Sequence, residues 1–285
     1  MTISRQTSEN RPGAYMNEEG TYPCEVVKRI FSLIADVALY AITFLLLQVI
    51  LFAVMKFLLS DDGVMTLVLS QTVSTILSVV IFIAVKWASV SDIKNTKRKT
   101  ILLVAVAALA LTLLPASIWV MELADAELPE MYEEILRNLL SEPLGIICIA
   151  LFVPLAEEVV FRGAILRRLL MFFPYSDNTP YRPWIAIIIS ALLFALIHGN
   201  MAQGSHALAI GAFLGWLYYR TDSIIPGVVF HCINNTSSLI SVFFLDSDAQ
   251  LIDICGGNYT FMYTLIVLST IVSIGLIALI VKTVF

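Results

Sequence analysis

Pro154-Leu-Ala-Glu-Glu-Val-Val-Phe-Arg-Gly163 sets two adjacent carboxylates and an arginine inside an apolar run that begins near Leu144. A charge at the centre of a bilayer costs at least ~2.5–3.5 kcal/mol, so an ionisable residue there marks function by default. Helical geometry separates the two acids. Glu158 and Arg162 are four apart, share one face and can bridge. Glu157 points ~100° away from Glu158 and ~140° from the arginine, so its partner must come from elsewhere in the chain.

The surrounding composition decides the class. The 285 residues are 59% hydrophobic and 14% charged, with a mean hydropathy of +0.89. Soluble domains carry about 25% charged residues, so the expected fold is all-α: a polytopic membrane bundle of about eight transmembrane helices. The bilayer is the first partner, and no nucleic acid is expected. The net charge of −5 says little because its signs are unevenly spread. Cys24, Cys148, Cys232 and Cys255 show no metal-type spacing and read as small packing residues. No internal repeat and no nucleotide-binding glycine loop stand out.

Outward from the Glu pair, the chain divides into four parts. Residues 1–26 form a polar tail, and no cleavable signal peptide is expected because the first apolar run is too long. Residues 27–142 carry spans at about Phe31–Leu59, Val64–Trp87 and Thr100–Met121, then an acidic segment from Glu122 to Glu142. Within that segment, 130–140 could form a short surface helix. Residues 143–245 hold four further spans. The first contains the Glu pair and may run on to Phe173. The others are about Trp184–His198, His206–Tyr219 and Ser223–Leu245. A last span, about Tyr259–Val284, completes 246–285. Lys28, Arg29, Lys94 to Lys99, Arg167, Arg168, Arg182, Arg220 and Lys282 fall on one side, and most loop acids on the other. By the positive-inside rule both termini are expected in the cytoplasm, most simply at a bacterial cell membrane.

Two of the three histidines are oddly placed. His198 closes a span in Phe194-Ala-Leu-Ile-His198, and His231 opens Phe230-His-Cys-Ile-Asn-Asn235. His231 and Asn235 share a helix face, as do Phe194 and His198. A carboxylate can act as general base, imidazoles can position a water or a metal, and an amide can stabilise an oxyanion. Singly, each residue has a packing explanation, an intramembrane Asn often being interhelical glue. His206, beside Gly204-Ser205 at an expected loop, reads as interfacial.

Together, Glu157-Glu158-xxx-Arg162, Phe194-xxx-His198 and His231-xxx-Asn235 resemble the three motifs of the CAAX prenyl protease and bacteriocin-processing (CPBP, or Abi) family of intramembrane endopeptidases, over about residues 140–245. The resemblance implies a helical membrane bundle with a four-helix catalytic core that hydrolyses a membrane-associated peptide or protein substrate. It implies that Glu157 activates water with His198, that His231 and Asn235 stabilise the oxyanion, and that Glu158 and Arg162, with Phe194, support them. Family members are described both as zinc metalloproteases and as metal-independent glutamate proteases. In the metal version Glu157, His198 and His231 would be the Zn2+ ligands. Two rival readings remain: a non-catalytic membrane protein of the same fold, such as a bacteriocin self-immunity factor or scaffold, and an ion-coupled transporter. Against the latter, all six charged and polar candidates lie between 157 and 235, and the spans of the first half hold only scattered polar groups such as Asp36 and Gln48.

One geometric tension accompanies this reading. At ~1.5 Å per residue, His231 lies ~12 Å and Glu157 ~9 Å from the cytoplasmic ends of their spans, but His198 lies ~21 Å from its own. They meet only if the fifth span starts below the surface or tilts, or if the fourth extends through Phe173.

Overall fold

The computed structural model describes residues 22–59, 63–91, 93, 97–123, 129–244 and 250–285, all of them helix or connecting turn. The expected tail up to residue 21, the acids at Asp61, Asp62, Asp125, Glu127, Asp246 and Asp248, and the base at Lys94 lie outside these.

Among the described residues ten helices follow in order: α1 (Tyr22–Leu58), α2 (Gly63–Ala84), α3 (Lys99–Leu123, with a break near Leu113), α4 (Glu130–Leu140), α5 (Pro143–Phe172), α6 (Arg182–Leu196), α7 (Met201–Thr221), α8 (Ile225–Phe244), the short α9 (Leu251–Ile254) and α10 (Tyr259–Val284). α1 starts at Tyr22, so residues 22–26 belong to a helix and not to the expected tail. The acidic surface helix is present as α4, closed by an Arg137–Glu133 pair at 2.7 Å.

Five helices are long and apolar enough to cross a membrane unaided: α1, α2, α3, α5 and α10. The chain is therefore an integral membrane protein. α6 is apolar but short. α7 and α8 carry Gln203, His206 and Arg220, and His231, Asn234 and Asn235. These polar side chains are half-buried, apart from the buried His231.

α5 is the centre. α1 and α2 pack on one side of it, α6 and α7 as an antiparallel pair on another, and α8 lies between it and the α3/α10 pair. Phe161 of α5 is fully buried, and its ring meets Phe44 of α1 and Phe194 of α6 edge to face at 6.2 and 5.1 Å. A second apolar cluster joins Leu102, Val106 and Leu109 of α3 to Leu214, Leu217, Phe230 and Ile280. α2 presents Thr66, Ser70, Ser74 and Ser78 inward at four-residue spacing. Their small size permits close approach, and the Ser70, Ser74 and Ser78 hydroxyls donate back to the Leu67, Gln71 and Ser74 carbonyls of their own helix. Asp36, the lone acid of the first span, accepts from Arg168 Nε at 2.7 Å and so latches α1 to the far end of α5.

The depth tension resolves through that far end. α5 does run on to Phe172, and α6 starts alongside it at Arg182. Fifteen residues separate Glu157 from Phe172 and sixteen separate Arg182 from His198, or ~22 and ~24 Å of helix. The connection after α2 marks a shallower level: Ser89 N–H donates to the Gly163 carbonyl at 3.3 Å, and Ser223 Oγ donates to the Ser91 carbonyl at 2.6 Å. Gly163 and the start of α8 thus share one level, each a turn or two from its own site residue, while the 163–172 and 182–190 stretches project past it together.

α5 enters over α4 at one crowded point. A Cβ at Gly145 would overlap the Leu139 carbonyl oxygen. Gly145→Ala should therefore lower unfolding stability by about 1–3 kcal/mol, read as an earlier thermal transition of purified protein. An unchanged transition would show that α4 can swing away freely.

Candidate active site

α5 is not a uniform α-helix. Turns widened to five-residue hydrogen bonding occupy Cys148–Phe152 and Val159–Leu166, with an α-helical stretch Val153–Glu158 between them. Such turns recur at functional sites. The first has a local cause. Val153 N–H donates to the Cys148 carbonyl, and in that five-residue register the Ile149 carbonyl would pair with residue 154. Residue 154 is proline and has no N–H. The missing donor comes from α8, where Asn235 Nδ2 donates to the Ile149 carbonyl at 3.2 Å. The proline thus calls in a residue from another helix.

One α-turn further, Glu157 and Glu158 are both buried, at 9% and 0% exposure. Arg162 NH1 donates to Glu158 Oε1 at 2.8 Å, the bridge expected from their spacing. The same guanidinium donates to the Gly211 carbonyl of α7 at 3.3 Å and lies 4.5 Å over the Phe194 ring. A fully buried cation is thereby surrounded by a carboxylate, a carbonyl and a π face, which is what burial of a charge requires.

His231 supplies the partner that Glu157 lacked. Its Nε2 lies 3.5 Å from Glu157 Oε2 and its Nδ1 lies 3.2 Å from Glu158 Oε1. Two carboxylates on adjacent residues of α5 therefore clasp one imidazole of α8. His198 comes from the other side. It sits just past the last residue of α6, not within it, in a turn where Gly199 takes φ +69°. His198 Nδ1 pairs with the Phe194 carbonyl at 2.8 Å, an interaction in which a carbonyl can only accept. Nδ1 therefore carries the proton and Nε2 is free to accept. The Phe194 ring stands between the two imidazoles, edge to face, at 5.0 Å from His198 and 5.9 Å from His231. Glu157 lies within electrostatic reach of both. These contacts link Glu157, Glu158, Arg162, Phe194, His198 and His231, while Asn235, one turn after His231, bonds instead to the Ile149 carbonyl.

The turn holding His198 is built by Asn200. Its Oδ1 caps α7 by accepting from Gln203 N–H at 2.9 Å, and its Nδ2 donates to the His198 carbonyl at 3.0 Å. Asn200→Ala should cost about 1 kcal/mol of stability and lower turnover by loosening His198. Full activity with reduced stability would confine Asn200 to capping.

The sequence reading missed the third histidine. Gly204-Ser205 is not a loop, because α7 begins at Met201, and His206 lies a turn inside it. His206 lies within electrostatic reach of Asn234 of α8 and of His231 and His198. A Gly-Ser pair hides this in the sequence. The available signal was Asn200, a strong helix-capping residue placed before the pair.

The expected metal set does not form as the side chains stand. Among the described residues no group of three or more His, Cys, Asp or Glu side chains could hold a metal ion. His231 is committed to carboxylates through both ring nitrogens, and His198 presents Nε2 alone.

Residues 139–237 match the family model described as Rce1-like, type II CAAX prenyl endopeptidase. Over these residues the chain is similar to the CAAX proteases. The matched segment contains every site residue above and runs from the end of α4 to the middle of α8, so the similarity falls on the part of the chain arranged around α5. No curated protein and no solved structure matches the chain.

Proposed function

We propose that this protein is an intramembrane endopeptidase of the CAAX protease type, cutting peptide bonds of membrane-associated peptides or proteins with a water activated by Glu157. The observation that carries this is the contact between Glu157 and His231 on separate helices, with His198 beyond the shared Phe194 ring.

The chemistry follows from where protons can sit. His231 faces a carboxylate at each nitrogen, so its Nδ1–H donates to Glu158 and one further proton is shared between Nε2 and Glu157. With that proton on His231, Glu157 is an acceptor. It takes a proton from a water that His198 Nε2 also holds, and the resulting hydroxide attacks the peptide carbonyl carbon. In this reading, once Glu157 holds the water's proton, the released His231 Nε2–H and the second Nδ2 hydrogen of Asn235 stabilise the oxyanion. As the C–N bond breaks, Glu157 passes the proton to the departing amine. Glu158 and Arg162 hold the arrangement and do not react. No step requires a metal. Chelation and metal analysis of the purified protein, run beside the cleavage assay, test the zinc alternative directly.

The name of the matched family suggests a prenylated C-terminal peptide as substrate. We also propose that α6, α7 and α8 cross the bilayer within the bundle, making eight crossings with both termini cytoplasmic in a bacterial membrane. The test uses full-length protein in nanodiscs with a library of membrane-anchored peptides, prenylated and not. Cleavage by the wild type that Glu157→Gln lacks supports the proposal. A wild type that cuts nothing, yet still gives its host a phenotype insensitive to Glu157→Gln, would favour the immunity or scaffold reading.

A further inference from the structure

Gly227 is the third residue of α8, one turn before His231 on the same face. A Cβ there would lie 2.6 Å from Glu158 Oε2 and 3.3 Å from Glu158 Cδ, and real Cβ atoms do not approach that closely. The contact involves a side chain with nowhere to go, since Glu158 is 0% exposed. Its two oxygens are used differently. Oε1 serves both Arg162 and His231 Nδ1, at 2.8 and 3.2 Å, while Oε2 is buried with no hydrogen-bond partner among the described residues. The carboxylate therefore lies flat against the bare Cα of Gly227, in the first turn of α8, where the positive end of the helix dipole favours a negative group.

We propose that Gly227 is a positioning residue for His231. By leaving no side chain, it lets Glu158 dock on the opening turn of α8. From there Oε1 reaches Nδ1 of His231 one turn on and turns Nε2 toward Glu157. The inference rests on the reading of Glu157 and His231 as the reacting pair. It adds a residue that no ionisable or polar motif contains, and one whose effect passes through Glu158.

The test compares Gly227→Ala with Gly275→Ala in full-length protein in nanodiscs. Gly275 is the control because a Cβ there meets nothing within 4 Å. Gly227→Ala is expected to lower kcat about tenfold or more at unchanged KM, since small misplacements of reacting groups cost up to ~10²-fold. Gly275→Ala should match the wild type. Nitrogen NMR of histidine-labelled protein reports the cause, and three histidines keep the spectrum assignable. The Nδ1 and Nε2 resonances of His231 should move in Gly227→Ala while those of His198 stay. Glu158→Asp withdraws the carboxylate by one methylene, so adding Gly227→Ala to it should cost less than about twofold, far below its effect in the wild type. If the single variant does not fold, the double variant should, because it carries the methyl without the collision. Losses that multiply, unmoved His231 resonances, or a double variant that also fails to fold would each overturn the proposal. The NMR comparison needs no turnover, so a wild type without peptidase activity would sink the functional reading while leaving this one decidable.

Discussion

Glu157→Gln is expected to reduce peptide-bond hydrolysis by ~10²–10⁴-fold, the range a positioned general base contributes, and to leave the fold intact. Glutamine has nearly the same shape and is as easily buried, so packing around His231 and Phe194 is preserved. What disappears is an oxygen that can take a proton from water and return it to the amine. The loss should fall on kcat, with KM little changed, because the carboxylate acts on the transition state and not on the bulk of the substrate. A kcat within a few-fold of the wild type would remove Glu157 from the reaction.

Arg162→Leu carries the largest expected effect on stability. Arg162 and Glu158 have side-chain exposures of 2% and 0%, and removing one partner of such a buried pair costs about 3–5 kcal/mol because the other charge is left uncompensated. Here the arginine also leaves the Gly211 carbonyl and the Phe194 face without their cation. Replacing both members, as Arg162→Leu with Glu158→Leu, should cost less than Arg162→Leu alone, since no isolated charge remains. Both versions should be inactive: the double variant removes the carboxylate that meets Nδ1 of His231, and the single variant strips that carboxylate of the guanidinium that fixes it. Denaturation of purified protein in detergent checks the order. A double variant less stable than the single would mean that the pair contributes net stability beyond mutual compensation.

Much of this was legible from residue spacing. The Glu158–Arg162 bridge needs only a four-residue interval, and the grouping of His231 with Asn235 needs only a shared helix face. The span at Tyr259–Val284 is bounded in the structure as its hydropathy indicates. What spacing could not convey was contact between helices. Nothing in the sequence says that His231 would touch both acids, or that Asn235 would donate to a backbone carbonyl. The even 100° rotation assumed for α5 also fails where its turns widen, since that depends on how Pro154 is accommodated. His198 lies two residues past the end of the helix expected to hold it, and Gly204-Ser205, expected as a loop beside His206, is helix. In both cases the chain around Gly199 and Asn200 turns more tightly than hydropathy can resolve. Gly227 left no trace at all, because a glycine's importance lies in what its neighbour needs to approach.

The vacancy that Pro154 leaves at the Ile149 carbonyl works like a keyway between α5 and α8. Sliding one helix past the other by a single residue would withdraw the Asn235 amide and strand both it and the carbonyl in hydrocarbon, where each unsatisfied group costs several kcal/mol. The fit therefore has one low-energy alignment, and in that alignment the imidazole one turn before Asn235 arrives opposite the two acids one turn beyond the proline. An imino ring with no acid–base chemistry of its own sets the vernier by which the imidazole and the two acids are brought into line.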